Sequence, residues 1–328
     1  MEIERKTIEF QDLGDDARRQ YIDARASFEA LEAAEAQAAT VRGGMYWKTT
    51  HGTDYLVRTS AGNAQKSLGP RSAETEAMHA AFTARKASAQ ARVKDLRETL
   101  VRHQRMNRAL FVGRVPTIVI DILDMLNRTG IAEHFTVVGT HALYAYEAAA
   151  GVRVESAAVA TRDVDLLWDT RKHLKFTTRL KRLDSSMLAL LRKVDKTFTL
   201  IDDQLYTAVN SKGFEVDILR REAKEQDLHP VKLTDAEEDF WVVQARNAEQ
   251  LVSAPRFSAV VVGTTGHMAR MNTVHPLSFV SFKRWLAQRP DRDPLKTNRD
   301  RLQADTVEQM VREYLPQLVE PNTRGGRS

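Results

Sequence analysis

The chain has 328 residues, 42% of them hydrophobic, with 49 Lys and Arg against 44 Asp and Glu, and no cysteine. The missing cysteine excludes disulfides, thiolate zinc sites and cysteine nucleophiles, and no run reaches the roughly 18 consecutive apolar residues of a membrane helix. The start is charged from Glu2 onward, unlike a secretory signal. A cytoplasmic protein with no membrane contact is therefore expected, and the net charge of +5 suits a phosphate-bearing partner.

In chain order, Asp15 to Thr40 is rich in Ala, Glu, Arg and Gln, with Tyr21, Phe28 and Leu31 at helical spacing. Gly43 and Gly44 read as its stop. Met45–Thr49 and Tyr55–Thr59 are short β-prone runs around His51-Gly52-Thr53-Asp54, a hairpin, with a third strand over Gln65–Leu68. Ser72 then caps a long helix to about Met106, with acidic residues in its first turn.

Gly113 to Pro116 reads as a joint. Beyond it, Thr117 to Asn127 is an amphipathic helix, Phe135–Val138 a buried strand ending at Gly139-Thr140, and His141 to Ala150 a helix. Val164–Trp168 and Phe214–Leu219 are further strands, residues 171–196 are helical and basic, and Phe257–Val262 with His267–Asn272 form a second hairpin. Pro276 to Leu318 is helical, and residues 321–328 are a polar, glycine-rich tail expected to be disordered.

Asp163 and Asp165 lie two apart inside Thr161-Arg162-Asp163-Val164-Asp165-Leu166-Leu167. On a strand, alternate side chains share a face, so both carboxylates can converge on one cation. A third acid stands in Phe214-Glu215-Val216-Asp217-Ile218-Leu219. Asp217, flanked directly by hydrophobes, is preferred over Glu215 on the same face. Acids are disfavoured in strands, and three of them together call for a hard, oxygen-seeking ion such as Mg²⁺ or Mn²⁺. The strand-Gly139-Thr140-helix sequence offers backbone N–H groups and a helix start to phosphates. Gly139 also reads as a tight-turn glycine, and Thr140 as either a hydroxyl contact or a helix cap. His141 reads as a local hydrogen-bonding residue or a functional one.

The order Gly139-Thr140, Asp163-x-Asp165, Asp217 resembles the DNA polymerase β-type nucleotidyltransferase superfamily. The wording of Val137–Gly151 and Thr161–Asp169 is close to a bacterial family of uncharacterised nucleotidyltransferase-fold proteins, and the likeness runs from Met45 to the C-terminal helices. Thr140 in place of the usual second glycine or serine, and a longer gap from Gly139 to Asp163, depart from the superfamily pattern. The resemblance implies an α+β fold: a polymerase-β-like core of mixed sheet and helices, with a helical N-terminal region bearing a small hairpin and a helical C-terminal region. The expected domains are 1–112, 113–275 and 276–320, before the 321–328 tail.

It also implies Mg²⁺-dependent (or Mn²⁺-dependent) transfer of an NMP from a nucleoside triphosphate to an acceptor hydroxyl on RNA such as tRNA, on a protein or on a small molecule. Asp163, Asp165 and Asp217 would be the catalytic metal ligands, with Gly139, Thr140, Lys283 and Lys296 at the nucleotide. The alternative is a non-catalytic nucleotide- or nucleic-acid-binding module, for instance in a toxin–antitoxin or phage-defence pair. The basic run from Arg171 to Lys196, and Tyr46, Trp47, Lys48, Arg58 and Lys66 on the hairpin, are candidate nucleic-acid contacts or ordinary surface and core.

Overall fold

The computed structural model describes residues 8–225, 227 and 229–319; the tail expected over 321–328 lies outside them. Two compact units form, one of residues 19–110 and one of residues 1–18 with 111–328.

After the short strand β1 (Gln11–Asp12) comes α1 (Asp15–Thr40), then β2 (Gly44–Thr50), β3 (Thr53–Thr59), β4 (Gln65–Pro70) and α2 (Ala73–Ala109). The three strands form an antiparallel sheet in the order β2-β3-β4. Its Trp47 ring meets His79 of α2, and the Arg58 guanidinium covers Phe82. Ser72 caps α2 in a capping box with Thr75, which accounts for the sharp start read in the sequence. The helix runs on to Ala109, three residues past the expected end. Gln20 of α1 donates to Asn107 Oδ1 and contacts His103, and Ser27 contacts the other nitrogen of that ring. The two helices are thereby tied side by side.

The second unit is built on α3 (Thr117–Thr129), β5 (Phe135–Val138), α4 (Ala142–Ala150), β6 (Val152–Arg153), α5 (Ser156–Val159) and β7 (Asp163–Trp168). Next come α6 (His173–Leu183), α7 (Met187–Val194), β8 (Thr199–Ile201), β9 (Gln204–Val209), β10 (Glu215–Arg221) and β11 (Val243–Ala245). The unit closes with α8 (Ala248–Ser253), β12 (Arg256–Val262), β13 (Met268–Val274), α9 (Pro276–Ala287) and α10 (Pro294–Tyr314). Its main sheet is mixed and eight-stranded, in the order β12-β13-β5-β7-β10-β9-β8, with β11 on β10. The mixed sheet with helices packed on it, followed by C-terminal helices, is the α+β arrangement expected for this part of the chain.

Apolar residues at helical spacing in α3 bury Val119, Ile120, Ile122, Leu123, Met125 and Leu126, and Gly130 ends the helix in the left-handed region at φ 70°. Val164, Leu166 and Trp168 of β7 and Val216 and Ile218 of β10 are buried beside them. The sequence reading also differs within this unit. The basic stretch 171–196 is two helices, because Asp184 turns left-handed at φ 46° and the Ser186 hydroxyl caps a new start at Ala189 N–H. The second hairpin extends to Val274, and β8 and β9 were not anticipated. Their signal, Leu200-Ile201 and Leu205 to Val209 around Asp202-Asp203, is short and only weakly alternating.

Candidate active site

β7 and β10 are neighbouring parallel strands, with Asp165 opposite Asp217 and Asp163 opposite Glu215. The strand period of two puts all four acids on one face, while Val164, Leu166, Val216 and Ile218 are buried in the core. One carboxylate oxygen from each of Asp163, Asp165 and Asp217 lies within 4.8 Å of the others. Glu215 stands outside that triplet, although its charge reaches Asp217.

Threonines orient the two outer acids. Thr161 donates its hydroxyl to Asp163 Oδ1. Thr207, on β9, donates to Asp217 Oδ1 at 2.5 Å. Burial, followed by the charges of Asp163 and Asp217, pushes the Asp165 carboxyl up to about 7, while Lys283 and Arg299 pull the other way. Burial also raises Asp217, against the pull of the Thr207 hydrogen bond. Three acids held this close without a neutralising ion repel one another. An all-oxygen donor set answers the chemistry of a hard divalent cation, so the residues fit Mg²⁺ or Mn²⁺.

Gly139 closes one side. It follows β5, takes φ +67°, and a Cβ there would stand 2.1 Å from Asp165 Oδ2. Glycine is required both for the backbone angle and for the approach of the carboxylate. The turn at Gly139–His141 is a single 3₁₀ turn leading into α4. The Thr140 hydroxyl caps nothing. It is buried and accepts from Gln303 Nε2 at 3.1 Å, and the same amide group donates to the Ala158 carbonyl at 2.7 Å. His141 is 1% exposed beside Asp163 and neither ring nitrogen has a hydrogen-bond partner. Burial draws its pKa down to about 4, against the charge of Asp163, and leaves the ring neutral.

Cations approach from α9 and α10. Lys283 is buried, donates to Asp300 Oδ1 at 2.8 Å and lies within electrostatic reach of Asp165. The other Asp300 oxygen takes Arg292 at 2.7 Å. Burial lowers the Lys283 pKa, with Asp300 opposing. Lys296, on the exposed first turn of α10, is within reach of Asp217. Arg299 acts on both Asp165 and Lys283, and its Nε is buried without a hydrogen-bond partner. Thr161 was within sight of the sequence, two residues before Asp163. Thr207 and Gln303 carried no local signal.

Much of the basic stretch 171–196 is occupied elsewhere. Arg171 pairs with Asp169, Lys172 with Glu133, Lys181 with Asp235 and Arg192 with Glu238, while Arg179 donates to the Thr129 carbonyl. No helix among the described residues is long and apolar enough to cross a membrane.

A family model described as Nucleotidyltransferase matches residues 117–324, which include every acid and cation of this site. Neither the curated proteins nor the solved structures contain a match to the chain.

Proposed function

The chain belongs to this nucleotidyltransferase family, and from that premise we propose that it transfers an NMP from a nucleoside triphosphate to an acceptor hydroxyl with Mg²⁺ or Mn²⁺ at Asp163, Asp165 and Asp217. The observation that carries the proposal is the closure of the three carboxylates to within 4.8 Å beside Gly139. Bound there, a divalent ion would neutralise phosphate charge and stabilise the charge that develops during attack.

The chain's own residues do the rest. Backbone N–H groups of the Gly139 turn receive phosphate oxygens. Lys283, Lys296 and Arg299 offset the triphosphate charge from the α9–α10 side. Asp217 accepts the proton of the acceptor hydroxyl, and burial makes it a stronger base than an exposed carboxylate. The acceptor oxygen bonds to the α-phosphorus, the bond to the β-phosphate bridge breaks, and pyrophosphate leaves. Neutral His141, buried near Asp163, packs against the Tyr144 and Phe214 rings. The acceptor, an RNA end, a protein or a small molecule, is what the assay below identifies, and a cytoplasmic location, where triphosphates are supplied, belongs to the same proposal.

The test is incubation with each α-labelled triphosphate, Mg²⁺ or Mn²⁺, and separated RNA, protein and small-molecule fractions of a cell lysate. Label transfer to one fraction that disappears in Asp163→Ala is expected. Metal-independent nucleotide binding with no transfer to any fraction would instead make the chain a non-catalytic binding module.

A further inference from the structure

The turn that follows β5 is held from near the far end of the chain. Gln303 of α10 is fully buried, and its Nε2 donates to Thr140 Oγ1 at 3.1 Å and to the Ala158 carbonyl at 2.7 Å. The carbonyl only accepts, so the amide atom beside it has to be the nitrogen, and chemistry fixes the setting of the side chain. An amide nitrogen in turn only donates. Thr140 Oγ1 is therefore the acceptor of its bond, and the hydroxyl keeps its own hydrogen for another partner. That hydrogen has no acceptor among the described residues.

The Ala158 contact gives a role to the stretch that lengthens the chain between Gly139 and Asp163. Without that carbonyl the amide could turn over, and its oxygen would then accept the Thr140 hydrogen and use it up. With the carbonyl in place, the turned-over amide sets two acceptors against each other at hydrogen-bond distance. α5 thus locks the direction of the Thr140 bond.

Two features set Gln303 apart from a packing residue. Its Oε1 is buried without a hydrogen-bond partner. An orphaned buried acceptor is costly, and an apolar side chain of the same size would fill the space without it. What the amide contributes is its pair of donors. The face of α10 that carries it is also the one turned to the acids. At about 100° per residue, Lys296, Arg299 and Gln303 fall within an arc of about 60°. Lys296 acts electrostatically on Asp217 and Arg299 on Asp165. Thr140 itself follows Gly139, whose backbone Asp165 approaches too closely for a Cβ.

We infer that Gln303 is a positioning residue for the triphosphate: locked by the Ala158 carbonyl, it makes Thr140 Oγ1 an acceptor and reserves the Thr140 hydrogen for a phosphate oxygen. The inference rests on the nucleotidyl-transfer reading of the site for the identity of that anion.

The test is calorimetric titration of the full chain with inorganic tripolyphosphate in excess Mg²⁺, which probes phosphate contact without base, ribose or turnover. Gln303→Met is close in volume and lacks both donors, and Thr140→Val keeps the branched shape without the hydroxyl. Each should weaken tripolyphosphate binding about 10-fold, the lower end for a hydrogen bond to a charged group. The double variant should be within about twofold of Thr140→Val alone, because Gln303 acts through that hydroxyl. Mn²⁺ affinity without tripolyphosphate should stay within about threefold of the parent chain in Gln303→Met, whereas a general loosening of the site would lower it. Gln303→Leu supplies the same comparison if the methionine variant melts early. Unchanged tripolyphosphate affinity in the Gln303 variants, multiplied losses in the double variant, an equal loss of Mn²⁺ affinity, or no tripolyphosphate affinity in the parent chain would each overturn the inference. Because the readout involves no transfer, Gln303-dependent affinity in a chain that labels no lysate fraction would count against the transfer reaction alone. Transfer by a chain whose tripolyphosphate affinity ignores Gln303 would count against this inference alone.

Discussion

Gly139→Ala separates two roles that one glycine plays. At φ +67° an alanine incurs the left-handed penalty, about 1–2 kcal/mol. Its Cβ would also stand 2.1 Å from Asp165 Oδ2, where ordinary contact begins at 3.4 Å, so something must yield. The backbone turn is fixed by β5 and α4, so the carboxylate retreats by about 1 Å, and a misplacement of that size costs on the order of 100-fold in rate. Gly151→Ala is the matched control, since Gly151 has φ +70° and a Cβ added there would meet nothing within 4 Å. Thermal melts should show both variants losing about 1–2 kcal/mol. Metal titration and nucleotide transfer should fail only in Gly139→Ala, by about 100-fold in transfer, with Gly151→Ala within threefold of the parent chain. If Gly139→Ala kept full transfer at the reduced stability, the close approach of Asp165 would have no functional meaning and the site would have to be placed elsewhere.

Three further outcomes follow from the same geometry. The Asp165 pKa of about 7 stands above its ordinary 3.8, so ionising it disfavours the folded state. Without divalent ions, stability should therefore fall as pH rises from about 4 to about 7. Mg²⁺ or Mn²⁺ should raise the melting temperature at pH 8 far more than at pH 5.5, and Asp165→Asn should remove both dependences; a pH-flat melting temperature for the metal-free parent chain would refute the assignment. Thr207→Val removes the hydroxyl that orients Asp217 and should weaken metal binding about 10-fold, measured by calorimetry, with unchanged affinity counting against that role. Asp300→Ala strips a buried lysine of its carboxylate partner and should cost about 3–5 kcal/mol in urea unfolding. A loss below about 1 kcal/mol would show that Arg292 and Lys283 do not depend on Asp300.

Residues near one another in the chain disclosed their arrangement without coordinates. Asp163 and Asp165 share a face because strand side chains alternate, whatever surrounds the strand. Ser72 starts α2 because a capping hydroxyl acts within one turn. Gly139 stood out because a glycine between a buried strand and a helix marks a turn that other residues resist. By contrast, that Asp217 lies opposite Asp165, that Thr207 from an unanticipated strand holds it, and that Gln303 reaches Thr140 across 163 positions are consequences of how the sheet is ordered and where α10 docks. The same holds for Lys283, Asp300 and Arg292, and for the basic residues after Arg171 that turned out to be bound to neighbours. Spacing along the chain encodes only contacts within a few residues. Contacts between distant elements depend on burial of apolar surface throughout the molecule, and only the folded arrangement decides which polar groups are carried together by it.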